Sequence, residues 1–169
     1  MQVNAMITIR PQMVKDAAAF YRIINEGHFP YFPVNIPSIE AEKRFLRRNR
    51  QEWKEEATFN FAILLGGRVI GAIGIMPEHS RPYAAELGYF IDSEFHGKGF
   101  AVQAAIQAEQ FARVFRPEIV RLQAYIVVDN APSIRVIEKA GYQKEGCLQS
   151  YLKCGKTFYD AYLYGKVIK

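Results

Sequence analysis

Residues 84–101 read AAELGYFIDSEFHGKGFA, a strand that runs into a glycine-bearing turn and then into a helix. Ala84 to Ile91 has the apolar and aromatic density of a strand. Phe100, Ala104, Ala108, Phe111 and Phe115 then recur at helical spacing up to the break before Pro117. In the turn, Gly97 and Gly99 let the backbone approach a ligand closely, and the first amides of the helix point outward unpaired. Such a turn can hold an anion such as a pyrophosphate. It lacks the third glycine of a dinucleotide fingerprint and is not GxxxxGK[ST], so neither nucleotide loop is indicated. On spacing alone it reads equally as a plain strand-to-helix connection.

Working outward, Ala5 to Arg10 reads as a short strand and Met13 to Glu26 as a helix stopped by Gly27. His28 to Pro37 is a rigid aromatic loop with Pro30, Pro33 and Pro37 among Phe29, Tyr31 and Phe32. Ser38 caps a second helix whose buried stripe is predicted at Ile39, Leu46 and Trp53. Its basic residues, such as Lys43, Arg47 and Arg50, alternate with Glu40, Glu42, Glu52, Glu55 and Glu56, which favours a solvated face over a nucleic-acid surface. Strands follow at Phe59 to Leu65 and Arg68 to Met76, joined by Gly66-Gly67 in a hairpin signal. Beyond the long helix come a strand at Val120 to Val128 and a short helix at Pro132 to Ala140. Two final strands, Tyr142 to Leu152 and Thr157 to Ile168, flank a turn at Gly155.

The order β, α, α, β, β, β, α, β, α, β, β implies a mixed sheet in which the strands before and after the long helix are parallel. Chemistry is expected at their carboxyl ends. The 169 residues suit one domain, and half are apolar while 23% are charged, which excludes a disordered or collagen-like chain. A formal charge of +5 favours an anionic ligand of any kind. No apolar run approaches the ~20 residues of a membrane span, and the N-terminus MQVNAMITIRPQM has no signal-peptide pattern, so a cytoplasmic location is expected. Cys147 and Cys154 form neither a disulfide framework nor a zinc site, so no metal is expected.

A second segment narrows the reading: Asn130-Ala131-Pro132-Ser133, then Lys139-Ala140-Gly141-Tyr142 and Glu145-Gly146. Together with Ala85-Glu86-Leu87-Gly88-Tyr89 and Gly97-Lys98-Gly99-Phe100-Ala101, these residues give the chain a pattern that resembles the GNAT superfamily of acyl-CoA-dependent N-acetyltransferases. Within it the chain is similar to the RimJ and RimL branch, which acetylates ribosomal-protein alanine. The resemblance implies a single GNAT-like α/β (α+β) domain over 1–169, with a mostly antiparallel mixed sheet and a splayed central parallel strand pair flanked by helices. It implies acetyl-CoA as co-substrate, its pyrophosphate on the backbone of Gly97, Lys98, Gly99, Phe100, Ala101 and Val102. Its pantetheine arm would lie along Phe90 and Ile91 and meet Asn130. His96 departs from the family's Arg or Gln at the start of the loop, and reads as a polar loop residue.

Many members of the superfamily carry a general-acid Tyr seven residues after this Asn, but Ile137 stands there. The resemblance to the RimL-like branch assigns that work to Ser133, which also reads as an ordinary residue of a helix N-terminus. Glu86 is the candidate base, with a surface strand carboxylate as the alternative. An α-amine with pKa ~8 is about a tenth neutral at pH 7, against roughly one lysine amine in 2,500, so an N-terminal acceptor needs only a modest base. Tyr125 stands where other members carry a glutamate. The acceptor is expected near Phe29, Tyr31 and Tyr89. Asp160 and Tyr164 also match the branch, without an assigned role. A protein N-terminus is the expected acceptor. A polyamine or aminoglycoside acetyltransferase and a non-catalytic acyl-CoA-binding module are the alternatives, and the chain is expected to be a monomer or homodimer.

Overall fold

Strand β1 (Ile7–Pro11) leads through a 3-10 turn at Val14–Asp16 into helix α1 (Ala17–Glu26), and helix α2 (Ile39–Lys54) follows the proline-rich loop. Strands β2 (Phe59–Leu65), β3 (Arg68–Glu78) and β4 (Arg81–Ile91) form a meander. Helix α3 (Phe100–Phe115), strand β5 (Arg121–Val127), helix α4 (Ala131–Lys139) and the hairpin of β6 (Gln143–Cys154) and β7 (Thr157–Val167) complete the chain. The structure, a computed structural model, describes residues 5–32 and 34–169, so the first four residues of the N-terminal reading and Pro33 of the aromatic loop lie outside the described residues. One seven-stranded sheet has the order β1-β2-β3-β4-β5-β7-β6, antiparallel at every pairing except β4–β5. This is the mixed sheet expected from the element order, and its mostly antiparallel pairing around one parallel pair is the arrangement that the resemblance implied.

Three of the boundaries that differ from the sequence reading have clear local reasons. Strand β3 continues past Met76 to Glu78, and β4 begins at Arg81 instead of Ala84. Pro77 interrupts the strand pattern in the sequence, but the sheet accommodates it where the register shifts between Pro77 and Glu78. The helix expected from Met13 starts at Ala17, because Arg10 and Met13 N bind the carboxylate of Asp16 and draw the preceding residues into a 3-10 turn. Along α2, Leu46 is buried and Trp53 half-buried as expected, whereas Ile39 is 38% exposed. The inward stripe is instead Glu42, Leu46, Asn49 and Trp53, a spacing of four, three and four residues.

Helices α1 and α2 cover one face of the sheet, where Phe20, Ile23, Ile36 and Leu46 pack on Ala62, Val69 and Ala72. Helices α3 and α4 cover the other, where Phe100, Ala104, Ala108 and Ile137 pack on Ile73, Ile75, Leu87, Leu122 and Ala124. The alanine stripe of α3 lets that helix lie close to the strands. Its polar residues protect the open edge of β1: Gln103 and Gln107 accept from Ile7 N and Ile9 N at 3.1 Å each, and Gln107 Nε2 donates to Ile7 O at 2.8 Å. An edge strand that would otherwise present unpaired amides is thus closed by side chains one helical turn apart.

Candidate active site

Strands β4 and β5 pair only over Ala84–Glu86 and Arg121–Gln123. Beyond Glu86 and Gln123 the two strands separate: Leu87 to Ile91 stay with β3, and Ala124 to Val127 stay with β7. Each wall of the resulting wedge therefore keeps backbone amides and carbonyls with no partner from the facing strand. Such groups need hydrogen bonds, so the wedge suits an extended ligand that carries amides of its own. Phe90 and Ile91 lie on one wall.

At the open end of the wedge, the chain leaves β4 through Asp92 and a 3-10 turn at Ser93–Phe95. Asp92 is buried, accepts from Glu94 N at 3.3 Å and is paired with Arg22 of α1 at 2.6 Å. His96 Nε2 donates to Ile91 O at 2.8 Å, so His96 fastens the turn to the end of its strand. Gly97 and Gly99 follow with φ of 74° and 79°, and a Cβ at either would meet nothing within 4 Å. The left-handed backbone requires glycine, and the empty space above it admits a large anion. Helix α3 starts at Phe100 with Gly99 as N-cap and no acidic residue in its first turn, so its amides and its dipole face outward uncompensated. Lys98 Nζ donates to Glu94 O at 2.9 Å and lies 5.2 Å above the Phe95 ring, turned back on its own loop.

Helix α4 starts at the same wedge. Asn130 caps it, with Oδ1 accepting from Ser133 N at 3.3 Å. The Ser133 carbonyl accepts from Tyr89 Oη at 3.1 Å, and the Ser133 hydroxyl has no hydrogen-bond partner among the described residues. Tyr89 belongs to the sheet face that packs against α3 and α4, and burial pushes its phenol up to about 12. Glu86 and Phe90 alternate to the opposite face. Of the residues expected around the acceptor, Tyr89 therefore stands on the α4 side of the sheet and not beside Glu86.

Glu86 is half-buried, and its carboxylate has neither a salt bridge nor a hydrogen bond among the described residues. Burial first, and the nearby Glu78 second, hold it above the usual carboxylate range. The aromatic loop closes this face. Phe29 and Phe32 pack on Phe90 at 5.9 and 5.8 Å between ring centroids, and Tyr31 meets Tyr159 of β7 edge-on at 5.6 Å. Cys154 Sγ donates to Tyr31 O at 3.3 Å. Phe29 is thereby a partly buried packing residue, while Tyr31 bridges the loop to the β6–β7 hairpin. The sequence reading did not single out Asp92, Arg22, Glu78 or Gln123. Only Asp92 carried a local signal, as a cap before Ser93-Glu94.

A family model described as "Acetyltransferase (GNAT) domain" matches residues 6–143. The chain is 30% identical to the ribosomal-protein-serine acetyltransferase of Escherichia coli (strain K12) over 81% of its own length and 76% of that protein's. It is 24% identical to the probable N-acetyltransferase YjcK of Bacillus subtilis (strain 168), covering 91% of this chain and 90% of the relative. Among solved structures, Mycobacterium smegmatis RimJ in complex with CoA-disulfide superposes with a TM-score of 0.87 at 24% identity, over 97% of this chain and 83% of that one.

Proposed function

The chain belongs to the acetyltransferase (GNAT) family and is an N-acetyltransferase with acetyl-CoA as donor, and from that premise we propose that its acceptor is the α-amine of a protein N-terminus. One observation carries this reading: a partner-free, half-buried carboxylate, Glu86, at the last paired position before the wedge opens. A carboxylate, even with its affinity for protons raised by burial, is a modest base, and this suits an α-amine, already about a tenth neutral at pH 7, better than a lysine amine. The similarity to a ribosomal-protein-serine acetyltransferase supports a protein acceptor.

Acetyl-CoA brings the activated acetyl thioester. The amides from Gly97 to Val102 bind the pyrophosphate through backbone and helix dipole, which explains why a histidine can replace the family's usual side chain at position 96. Backbone groups at Phe90 and Ile91 pair with the pantetheine amides, and Asn130 orients the arm while capping α4. Glu86 takes the proton from the incoming amine, directly or through one water. As the new C–N bond forms and the C–S bond breaks, the Ser133 hydroxyl, free of other partners among the described residues, donates a hydrogen bond to the departing sulfur, which leaves as a thiolate and takes its proton from solvent. Transfer is direct within a ternary complex, since neither Cys147 nor Cys154 lies in a segment assigned to the donor or to Glu86.

An acceptor panel tests this reading. With acetyl-CoA, peptides starting with Ala or Ser should turn over faster than polyamines or aminoglycosides, and peptides with a blocked N-terminus should be inert. Turnover of a polyamine with the peptides inert would move the assignment to small amines. Tight acetyl-CoA binding with no acceptor at all would leave a binding module.

A further inference from the structure

Gln123, paired with Glu86 across the parallel ladder and only 2% exposed, is the centre of a polar chain that runs beneath the acceptor side of the wedge. Its Nε2 donates to Tyr125 Oη at 2.9 Å and to Glu78 Oε1. Its Oε1 accepts from Arg121 Nε at 3.2 Å, and Arg121 in turn pairs with Glu145. At the other end, Arg81 holds Glu78 Oε2 at 2.6 Å. One amide therefore joins β3, β5 and β6 at the point where the strands part, and every polar atom of that amide is committed. A buried glutamine satisfied on both sides is rigid and fixes its neighbours. Because Tyr125 accepts from Gln123, its own proton is turned away from the amide.

We propose that Glu78 is a positioning residue for acetyl transfer: through Gln123 it holds Tyr125 in place and forms, with Arg81, the charged surround in which Glu86 meets the acceptor amine. The proposal rests on the reading of Glu86 as the base. From the neighbouring strands, Glu78 of β3 and Tyr125 of β5 interact electrostatically with Glu86, and Arg81 at the start of β4 reaches it through its pair with Glu78. Tyr151 of β6 packs on Tyr125 at 4.7 Å between ring centroids, and the Arg121–Glu145 pair lies beyond Gln123. Glu78 and Arg81 act on Glu86 with opposite sign. Glu78 disfavours the carboxylate form, and Arg81 restrains that effect by neutralising Glu78.

Two variants test the proposal through the pH profile of kcat/KM for a peptide acceptor, with Glu86→Gln as control. Glu78→Gln keeps an oxygen to accept from Gln123 and loses only a partly exposed ion pair, so the fold should persist. Its acid limb should move to lower pH while kcat at the optimum falls about tenfold and the KM for acetyl-CoA stays unchanged. Arg81→Gln should move the acid limb the other way, to higher pH. Opposite shifts are the signature of a charge pair acting on a third group, which a purely structural role would not produce. Limbs that stay at the wild-type position in both variants, or that move together, would overturn the proposal while leaving Glu86 as the base. If Glu86→Gln itself keeps the wild-type limb, the base assignment fails and this proposal fails with it.

Discussion

Tyr89 Oη donates to the backbone carbonyl of Ser133 across 3.1 Å and ties β4 to the first turn of α4 over the wedge. The bond is not part of the helix's own ladder, so it fixes where that first turn sits, and with it the Ser133 hydroxyl. Burial raises the Tyr89 phenol to about 12, so it remains a donor at any working pH. Tyr89→Phe should lower kcat about fivefold, corresponding to a net hydrogen bond of ~1 kcal/mol, with acetyl-CoA affinity nearly unchanged. Single-turnover rates beside equilibrium binding would check this. A loss confined to acetyl-CoA affinity would show that Tyr89 shapes the donor site instead.

Glu86 sets the acid side of the pH profile. Its native-state affinity for protons is raised, mainly by burial, so the base becomes competent only above the ordinary carboxylate midpoint of ~4.3. We expect kcat/KM for a peptide to rise with pH through a limb centred above that value. Glu86→Gln should remove the limb and lower kcat by roughly 10²–10⁴-fold, and Ser133→Ala should lower kcat without displacing the limb. A Ser133→Ala enzyme at full rate would show that the leaving thiolate needs no hydrogen bond from this position.

In the donor loop the structure separates backbone from side chain. Gly99→Ala finds open space but must hold φ near 79°, a strain of roughly 1–2 kcal/mol that will shift the loop or twist its amides. Acetyl-CoA affinity should fall about tenfold or more. Lys98 is turned back onto Glu94 O and the Phe95 ring, so Lys98→Ala should cost much less. Titration calorimetry on both variants decides the matter, and a larger loss for Lys98→Ala would mean that charge, not the amides, carries the phosphates.

The parts of the site that were legible in the sequence are those whose causes are local. The Gly97–Gly99 turn, the Asn130 cap of α4 and the hairpin at Gly66-Gly67 each follow from the residue that the backbone geometry demands. Helical periodicity placed the four helices, and apolar, β-branched density between turn residues placed the seven strands. What sequence could not give depends on residues far apart in the chain. Arg22 and Asp92 are separated by 70 positions and Glu78 and Gln123 by 45, and nothing near either member names its partner. The extension of β3 past Pro77 was hidden for another reason: the residue that usually ends a strand sits at an irregularity that tolerates it. The burial of Glu42 and Asn49 in place of Ile39 is of the same kind, since the loop before α2, not the helix pattern alone, sets how the helix is turned against the sheet.

Glu42 gives a prediction independent of catalysis. It lies on the inward stripe of α2, only 7% exposed, and has no ion pair among the described residues. Burial holds its carboxyl above the usual range. For an acid with a raised native-state value, the ionised form costs stability at neutral pH, and the cost disappears as pH falls through the native value toward the unfolded value of ~4.3. Glu42→Gln keeps the shape and removes the charge. The variant should therefore melt higher than wild type at pH 7.5, by about 2–4 °C for each kcal/mol released in a chain of this size, and the gap should narrow toward pH 4. Melting curves across that range test the sign directly. A variant that is less stable at pH 7.5 would show that the native fold uses the charge, most simply as a favourable partner for the N-terminal end of the α2 dipole, and not that it tolerates it.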